Sequence, residues 1–355
     1  MMLFIRSLMT QKGGTKVIAS VSISGARPRV FISQSMPQAG VEMLQEFCEV
    51  DYHNGTKLPM DEYLVRLKSA DAAVVFMTDN IDEELLQQCP NLRLLSSFEK
   101  GYDNINIEAC TKRGIVVAIN PYDLTASTAD LAMGLLLAAC RNIPSADAHL
   151  RFDGFQGWHP YNCLGADFHQ SNLGIIGFGA IGQAIAKRAK GFDVNISYND
   201  IQRKPETEHD LGVSFKEIPR LLAESDFIVL AANLTMHNRH LLGPEEFAYV
   251  KSGSYLINIA RGSLVNENAL LGALRSGRLR GYASDVFEFE DLCFTNRPKY
   301  INLELLASTE STVFTPHLGT ATVQARQKLA VATANQLLAV LRGETPPGVI
   351  NGYCQ

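Results

Sequence analysis

The stretch NLGIIGFGAIG, residues 172–182, limits the fold of this chain more than any other. An apolar run of strand type ends on Gly177, Gly179 and Gly182 in G-x-G-x-x-G spacing and leads into a helix-type run from Ile181. The first glycine permits a tight turn, the second lets the backbone approach a ligand, and the third lets helix and strand pack closely. Such a turn belongs to a parallel α/β sheet, and its helix offers free N–H groups and a positive dipole end to a pyrophosphate. Asp200 ends the next strand-type run, VNISYND, 18 residues beyond Gly182. A carboxylate there accepts the two ribose hydroxyls of an adenosine and repels a 2′-phosphate. The cofactor expected is therefore NAD in preference to NADP, a preference that Arg203 and Lys204 close behind would soften.

The rest of the chain alternates in the same way. RVFIS (29–33), AAVVFMT (72–78), LRLLSSF (92–98) and GIVVAIN (114–120) read as strands, with helical patterns near 39–48 and 82–88 between them, and Asn120-Pro121 closes this part. From Ser127 to about Arg141 the chain is apolar nearly all round, the pattern of a helix buried on several sides, whether in a core, between domains or between subunits. After residue 172 come DFIVLAA, SYLINIA, RGYASDV and TVFTP as strands, helices near 216–223, 244–249 and 266–275, and a C-terminal helix over about 321–341. Two α/β units follow from this order.

Charge and composition exclude several functions. A net charge of -5 gives no general attraction to nucleic acid, so an anionic ligand needs a local cationic site. The most apolar run, LAMGLLLAAC (131–140), is about half the length needed to span a bilayer. The seven cysteines are scattered and form no CxxC pair, which indicates neither a metal site nor a disulfide framework and fits a reducing, cytoplasmic compartment. Residues 1–41 hold no acidic residue but carry Arg6, Lys12, Lys16, Arg27 and Arg29. That is the composition of an organellar, mitochondrial-type transit segment or of a disordered basic tail.

Three polar residues fall at or just past strand ends, where open parallel sheets bind ligands. Arg261 follows SYLINIA, Glu290 follows RGYASDV, and His317 follows TVFTP. An arginine fixes an oxyanion with a fork of donors, and a histidine moves the proton that accompanies a hydride. A carboxylate on the far ring nitrogen fixes the histidine tautomer. Asp285, at the end of RGYASDV, lies near enough to bind a nicotinamide amide. Lys100, in EKGYDN after LRLLSSF, puts an ammonium group at another strand mouth.

GFGAIG, NIARGSLVNENALLGAL, GYASDVFEFED and FTPHLGTA together resemble the D-isomer-specific 2-hydroxyacid dehydrogenases over about residues 28–350. The resemblance implies two Rossmann-like, doubly wound parallel-sheet domains with an interdomain cleft. The substrate domain would be discontinuous, 28–121 and 319–355, the NAD-binding domain would be 122–318, and residues 1–27 would be an extension. A homodimer formed through the coenzyme domain is implied too, with the apolar helix after Ser127 as its natural contact. The family's Arg, Glu and His fall on Arg261, Glu290 and His317, the 29-residue spacing selecting Glu290 over Glu288. The cofactor contacts implied are Thr128, Gly177, Gly179, Ala180, Ile181, Gly182, Asp200, Ala260, Asp285 and His317.

Within the family, EKGYDN, FQGWHP (155–160), DVFEFEDL and NRPKY look most like the phosphonate (phosphite) dehydrogenases. That resemblance places Met77, Lys100, Trp158 and Arg261 on the substrate and implies oxidation of phosphite by NAD, with His317 activating water. A second cation suits a dianion. Glu99, Thr320 for a serine, and a displaced Tyr161 depart from the pattern. An NAD-dependent D-2-hydroxyacid dehydrogenase or 2-oxoacid reductase needs everything but Lys100, and a non-catalytic NAD-sensing corepressor on the same fold needs no turnover at all.

Overall fold

A computed structural model of the protein describes residues 27–120 and 125–351. The transit-segment reading falls chiefly on residues 1–26, and the expected domain boundary falls within 121–124, so both lie outside the described residues.

The first sheet is built from β1 (Arg29–Ile32), β2 (Glu49–Tyr52), β3 (Ala72–Val75), β4 (Leu94–Ser97) and β5 (Val116–Ala118), all parallel, in the order β2-β1-β3-β4-β5. The second is built from β6 (Asn172–Ile176), β7 (Asn195–Asn199), β8 (Ser214–Phe215), β9 (Phe227–Leu230), β10 (Ser254–Asn258), β11 (Leu279–Ser284) and β12 (Thr312–Phe314). These are parallel as well, in the order β12-β11-β10-β9-β6-β7-β8. The central strands β3 (AAVV) and β9 (FIVL) are buried along their whole length, as strands covered by helices on both faces must be. Strand β2 (EVDY) is half exposed at a sheet edge, so it carries no apolar run, and the sequence reading missed it.

β6 has β7 on one side and β9 on the other, so the strand order reverses there and a crevice opens at its carboxyl end. Gly177 sits at that point. The first sheet reverses in the same way about β1.

Two helices settle where the apolar runs go. In the helix Thr125–Cys140, Leu136, Ala139 and Cys140 pack with Leu173, Ile175, Phe227, Ile257 and Ala283. Much of its apolar girth is used inside the second unit. In the helix Val323–Leu341, Leu329, Ala330 and Leu337 pack with Val30, Ile32, Leu44 and Leu94 of the first unit. The chain then bridges Val349 to Ala118, so its end returns to the first sheet.

The exposed apolar surface lies elsewhere. The helix Ile143–Asp153 buries none of its residues, and with the segment after it leaves Phe152, Phe155, Trp158 and Tyr161 each at least 75% exposed. No described helix is long and apolar enough to cross a membrane.

Candidate active site

The glycine turn has the geometry that a pyrophosphate needs. Gly177 has φ +92°, and a Cβ there would lie 2.4 Å from the backbone nitrogen of Ala232, so both conformation and space demand glycine. A Cβ on Gly182 would lie 2.3 Å from the Gly177 carbonyl oxygen, so helix and turn are in direct contact. Around Gly179 the space is open, Gly179 and Ala180 are exposed, and Ile181 is half buried against the core. The helix Ala180–Ala189 starts there without a side-chain cap, which leaves its first N–H groups to a ligand.

Asp200 ends β7 beside this turn and accepts the Phe178 N–H at 2.7 Å. Burial raises its pKa, but the bonds from Phe178 and Lys204 outweigh burial and hold it below the usual carboxylate range, so it stays an anion. Lys204 pairs with it at 3.0 Å, while Arg203 is taken up by Glu208 at 2.8 Å. The residues therefore fit NAD, and only Lys204 is placed to offset the repulsion of a 2′-phosphate. Asp200→Ala should narrow the preference for NAD over NADP by about tenfold, roughly 1.4 kcal/mol, read as the ratio of kcat/KM for the two cofactors.

At the carboxyl ends of β10, β11 and β12 the structure brings Arg261, Glu290 and His317 into one cluster. His317 Nδ1 lies 2.8 Å from Glu290 Oε2, and Glu290 Oε1 accepts the Phe287 N–H at 2.7 Å. The ring's Nδ1 is thus committed, and Nε2 has no partner among the described residues. His317 also holds a left-handed backbone, φ +56°, which a non-glycine residue adopts only when its surroundings impose it. Asp285 imposes it. Its Oδ1 accepts Thr315 Oγ1 and the Leu318 N–H at 2.6 Å each, its Oδ2 accepts the Gly319 N–H at 2.8 Å, and its carbonyl accepts the His317 N–H at 2.9 Å. Thr128 Oγ1 donates to the Gly319 carbonyl at 3.2 Å. The carboxylate expected at the nicotinamide amide is thus first a brace for the histidine turn.

Arg261 is largely buried and reaches across to the first unit. Its Nε donates to Asp103 Oδ1 at 2.9 Å, Nη2 lies 2.9 Å from the same oxygen, and Nη1 donates to the Ala260 carbonyl at 2.8 Å. Burial disfavours its charge, but Asp103, Asp291 and Glu99 outweigh burial and raise its pKa. Three of the five N–H groups of a guanidinium are then committed, leaving two for a ligand. Gly262 presses this loop onto the segment that carries Glu290: a Cβ there would lie 1.9 Å from the Phe287 carbonyl carbon.

Lys100 is half buried after β4, and among the described residues its ammonium has no hydrogen-bond or ion-pair partner. Burial alone lowers its pKa. Next to it, a Cβ on Gly101 would lie 1.8 Å from Arg261 Nη2, so this loop lies directly against the arginine. Glu99 pairs with Arg326 of the C-terminal helix at 2.7 Å, and its charge also acts on Arg261. Met77, after β3, is half buried. Trp158 is not brought to this cluster: it is 83% exposed and forms no ring contact with any of these residues.

Two acidic residues of the site were missed. Asp103 stands in the EKGYDN stretch itself, but its partner is 158 residues away and no local pattern announces it. Asp291 is 2% exposed and accepts the Ser263 N–H at 2.7 Å. Its place directly after Glu290 was the available signal.

Comparison with known proteins supplies the family. Residues 133–319 match the family model described as "D-isomer specific 2-hydroxyacid dehydrogenase, NAD binding domain". A glyoxylate reductase of Thermococcus litoralis is 42% identical over 330 residues, covering 92% of this chain and 97% of the relative. A crystal structure of the TT0316 protein from Thermus thermophilus superposes with a TM-score of 0.82 at 36% identity, covering 91% of this chain and 99% of that one. That of D-lactate dehydrogenase from Aquifex aeolicus complexed with NAD and lactic acid gives 0.80 at 26% identity, covering 92% and 100%. The finer resemblance to phosphonate dehydrogenases is corrected by these findings, since relatives aligned over nine-tenths of the chain are glyoxylate reductases. The chain belongs to the D-isomer-specific 2-hydroxyacid dehydrogenase family, and it is an NAD-dependent oxidoreductase.

Proposed function

We propose that this protein reduces a small monoanionic 2-oxoacid, glyoxylate first, to the 2-hydroxy acid. The observation that carries the reading is the pairing of a braced His317, free at Nε2, with an Arg261 that keeps two N–H groups free. The identity to glyoxylate reductases supports the choice of a short substrate. NADH supplies the hydride. Arg261 holds the carboxylate in a bidentate grip, His317 gives its Nε2 proton to the carbonyl oxygen, and Glu290 keeps the ring oriented through Nδ1. The second sheet with its glycine turn serves as the NAD-binding unit, with 122–318 as its extent. The first sheet and the returning C-terminal helix serve as the substrate unit, 28–121 and 319–355. Consumption of NADH with glyoxylate, matched mole for mole by glycolate, tests the assignment. NADH consumption without glycolate refutes it.

Lys100 serves as a second contact for the anion, motivated by a half-buried ammonium without a partner beside the loop that touches Arg261. Loss of a charge-assisted hydrogen bond costs about 1.5–3 kcal/mol. Lys100→Ala should thus lower kcat/KM for the 2-oxoacid by roughly 10- to 100-fold, mostly through KM, and leave NADH affinity alone. Unchanged kinetics would make Lys100 an ordinary loop lysine.

The active form is a homodimer, joined through the aromatic face of residues 143–164. Phe152, Phe155, Trp158 and Tyr161 are each at least 75% exposed within ten residues of chain, a concentration of exposed aromatics that supports an interface there. Light scattering should give twice the chain mass of 39.0 kDa, and Phe155→Asp with Trp158→Asp should halve it. A monomeric wild type contradicts the dimer.

A further inference from the structure

The anion site carries more negative charge than its arginine and lysine suggest. Asp103 approaches Arg261 from the first unit at 2.9 Å. Asp291, 2% exposed and close enough for its charge to act on both Arg261 and Asp103, is fixed by the Ser263 N–H two residues past Arg261 at 2.7 Å. Gly262 is in backbone contact with Phe287 and Glu288, so the segments bearing Arg261 and Asp291 are packed together. Two carboxylates thus stand against one guanidinium, and Lys100 contributes a separate cation at the edge.

We infer that Asp291, backed by Asp103, is the specificity-determining residue for ligand charge, admitting monoanions and rejecting dianions of the same shape. The inference rests on the 2-oxoacid reading above and names the charge class which that site takes. Asp103 and Asp291 already match the charges of Arg261 and Lys100, so a first negative charge on the ligand is held by the directed N–H groups of Arg261 and not by surplus charge. A second meets a fixed buried carboxylate, a repulsive element built into the site. The charged and titratable groups around Asp291 are Arg261, Asp103 and Cys293. Burial pushes the Cys293 thiol up to about 11, so it stays neutral. Burial also pushes the Asp291 carboxyl up to about 6, against the Ser263 hydrogen bond and the charge of Arg261. Asp291 is therefore anionic at neutral pH and rejects the dianion there. Below about pH 6 it is protonated and the rejection fades.

Oxamate and oxalate test this, because they are planar, nearly isosteric, unreactive here, and differ by one charge. Each is measured as an inhibitor of glyoxylate reduction between about pH 5.5 and 7.5. In the wild type the ratio of inhibition constants, oxalate over oxamate, should rise about tenfold across this range, the size of one pKa unit of coupling. In Asp291→Asn, which keeps an acceptor for the Ser263 N–H, the ratio should be flat and about tenfold lower at the upper end. Asp291→Glu should keep the slope. A flat ratio in the wild type, or the wild-type slope in Asp291→Asn, overturns the inference while glyoxylate turnover leaves the reductase reading standing. A wild type that neither reduces glyoxylate nor binds oxamate overturns the reductase reading and this inference with it.

Discussion

His317→Asn lowers the turnover of glyoxylate by about 10²–10⁴-fold, the usual worth of a positioned acid or base, and leaves NADH affinity unchanged. Asparagine keeps a polar group of similar reach and also tolerates the left-handed backbone at this position, φ +56°. The turn braced by Asp285 should therefore survive, and the loss should fall on kcat. Equilibrium binding of NADH by fluorescence separates the two parameters. Full turnover in the variant removes His317 from the mechanism. Loss of NADH binding together with turnover makes it a structural residue of the turn.

Arg261→Gln should lower kcat/KM for glyoxylate by at least about 10²-fold, since two charge-assisted bonds at about 1.5–3 kcal/mol each leave with it. It should also destabilise the fold. Asp103 and Asp291 would keep their charges without a partner, and breaking a buried pair from one side costs about 3–5 kcal/mol, with the 21% exposure of Asp103 favouring the lower end. The double variant Arg261→Gln with Asp103→Asn should regain much of that stability in a urea melt and none of the activity. If Asp103→Asn restores activity as well, the arginine acts on Asp103 and not on substrate.

The sequence made the sheets legible because parallel strands buried on both faces must be apolar throughout, as FIVL and AAVV are. It made the cofactor turn legible because the φ of +92° at Gly177 and the contact of Gly182 with the Gly177 carbonyl are both local demands for glycine. Edge strand β2 and the helix Ile143–Asp153 left little signal, since neither presents a continuous buried face. Arg261, Glu290 and His317 could be named one by one from strand ends. The partners that set the charge of the site could not: Asp103 meets Arg261 across 158 residues, and Asp291 meets Ser263 across 28. Trp158 is 83% exposed within one chain, so its expected substrate contact has no counterpart in local packing. Lys100 can be named from the sequence as a cation at a strand mouth, but the carboxylates of Asp103 and Asp291 that fold in around the neighbouring Arg261 cannot.

The most direct test is a single pair of steady-state assays on the same preparation, glyoxylate with NADH and phosphite with NAD. The site described here, with Asp103 and Asp291 against Arg261, predicts kcat/KM for glyoxylate at least about 10²-fold above that for phosphite, a gap of about 2.7 kcal/mol. Phosphite oxidation equal to or faster than glyoxylate reduction would contradict it.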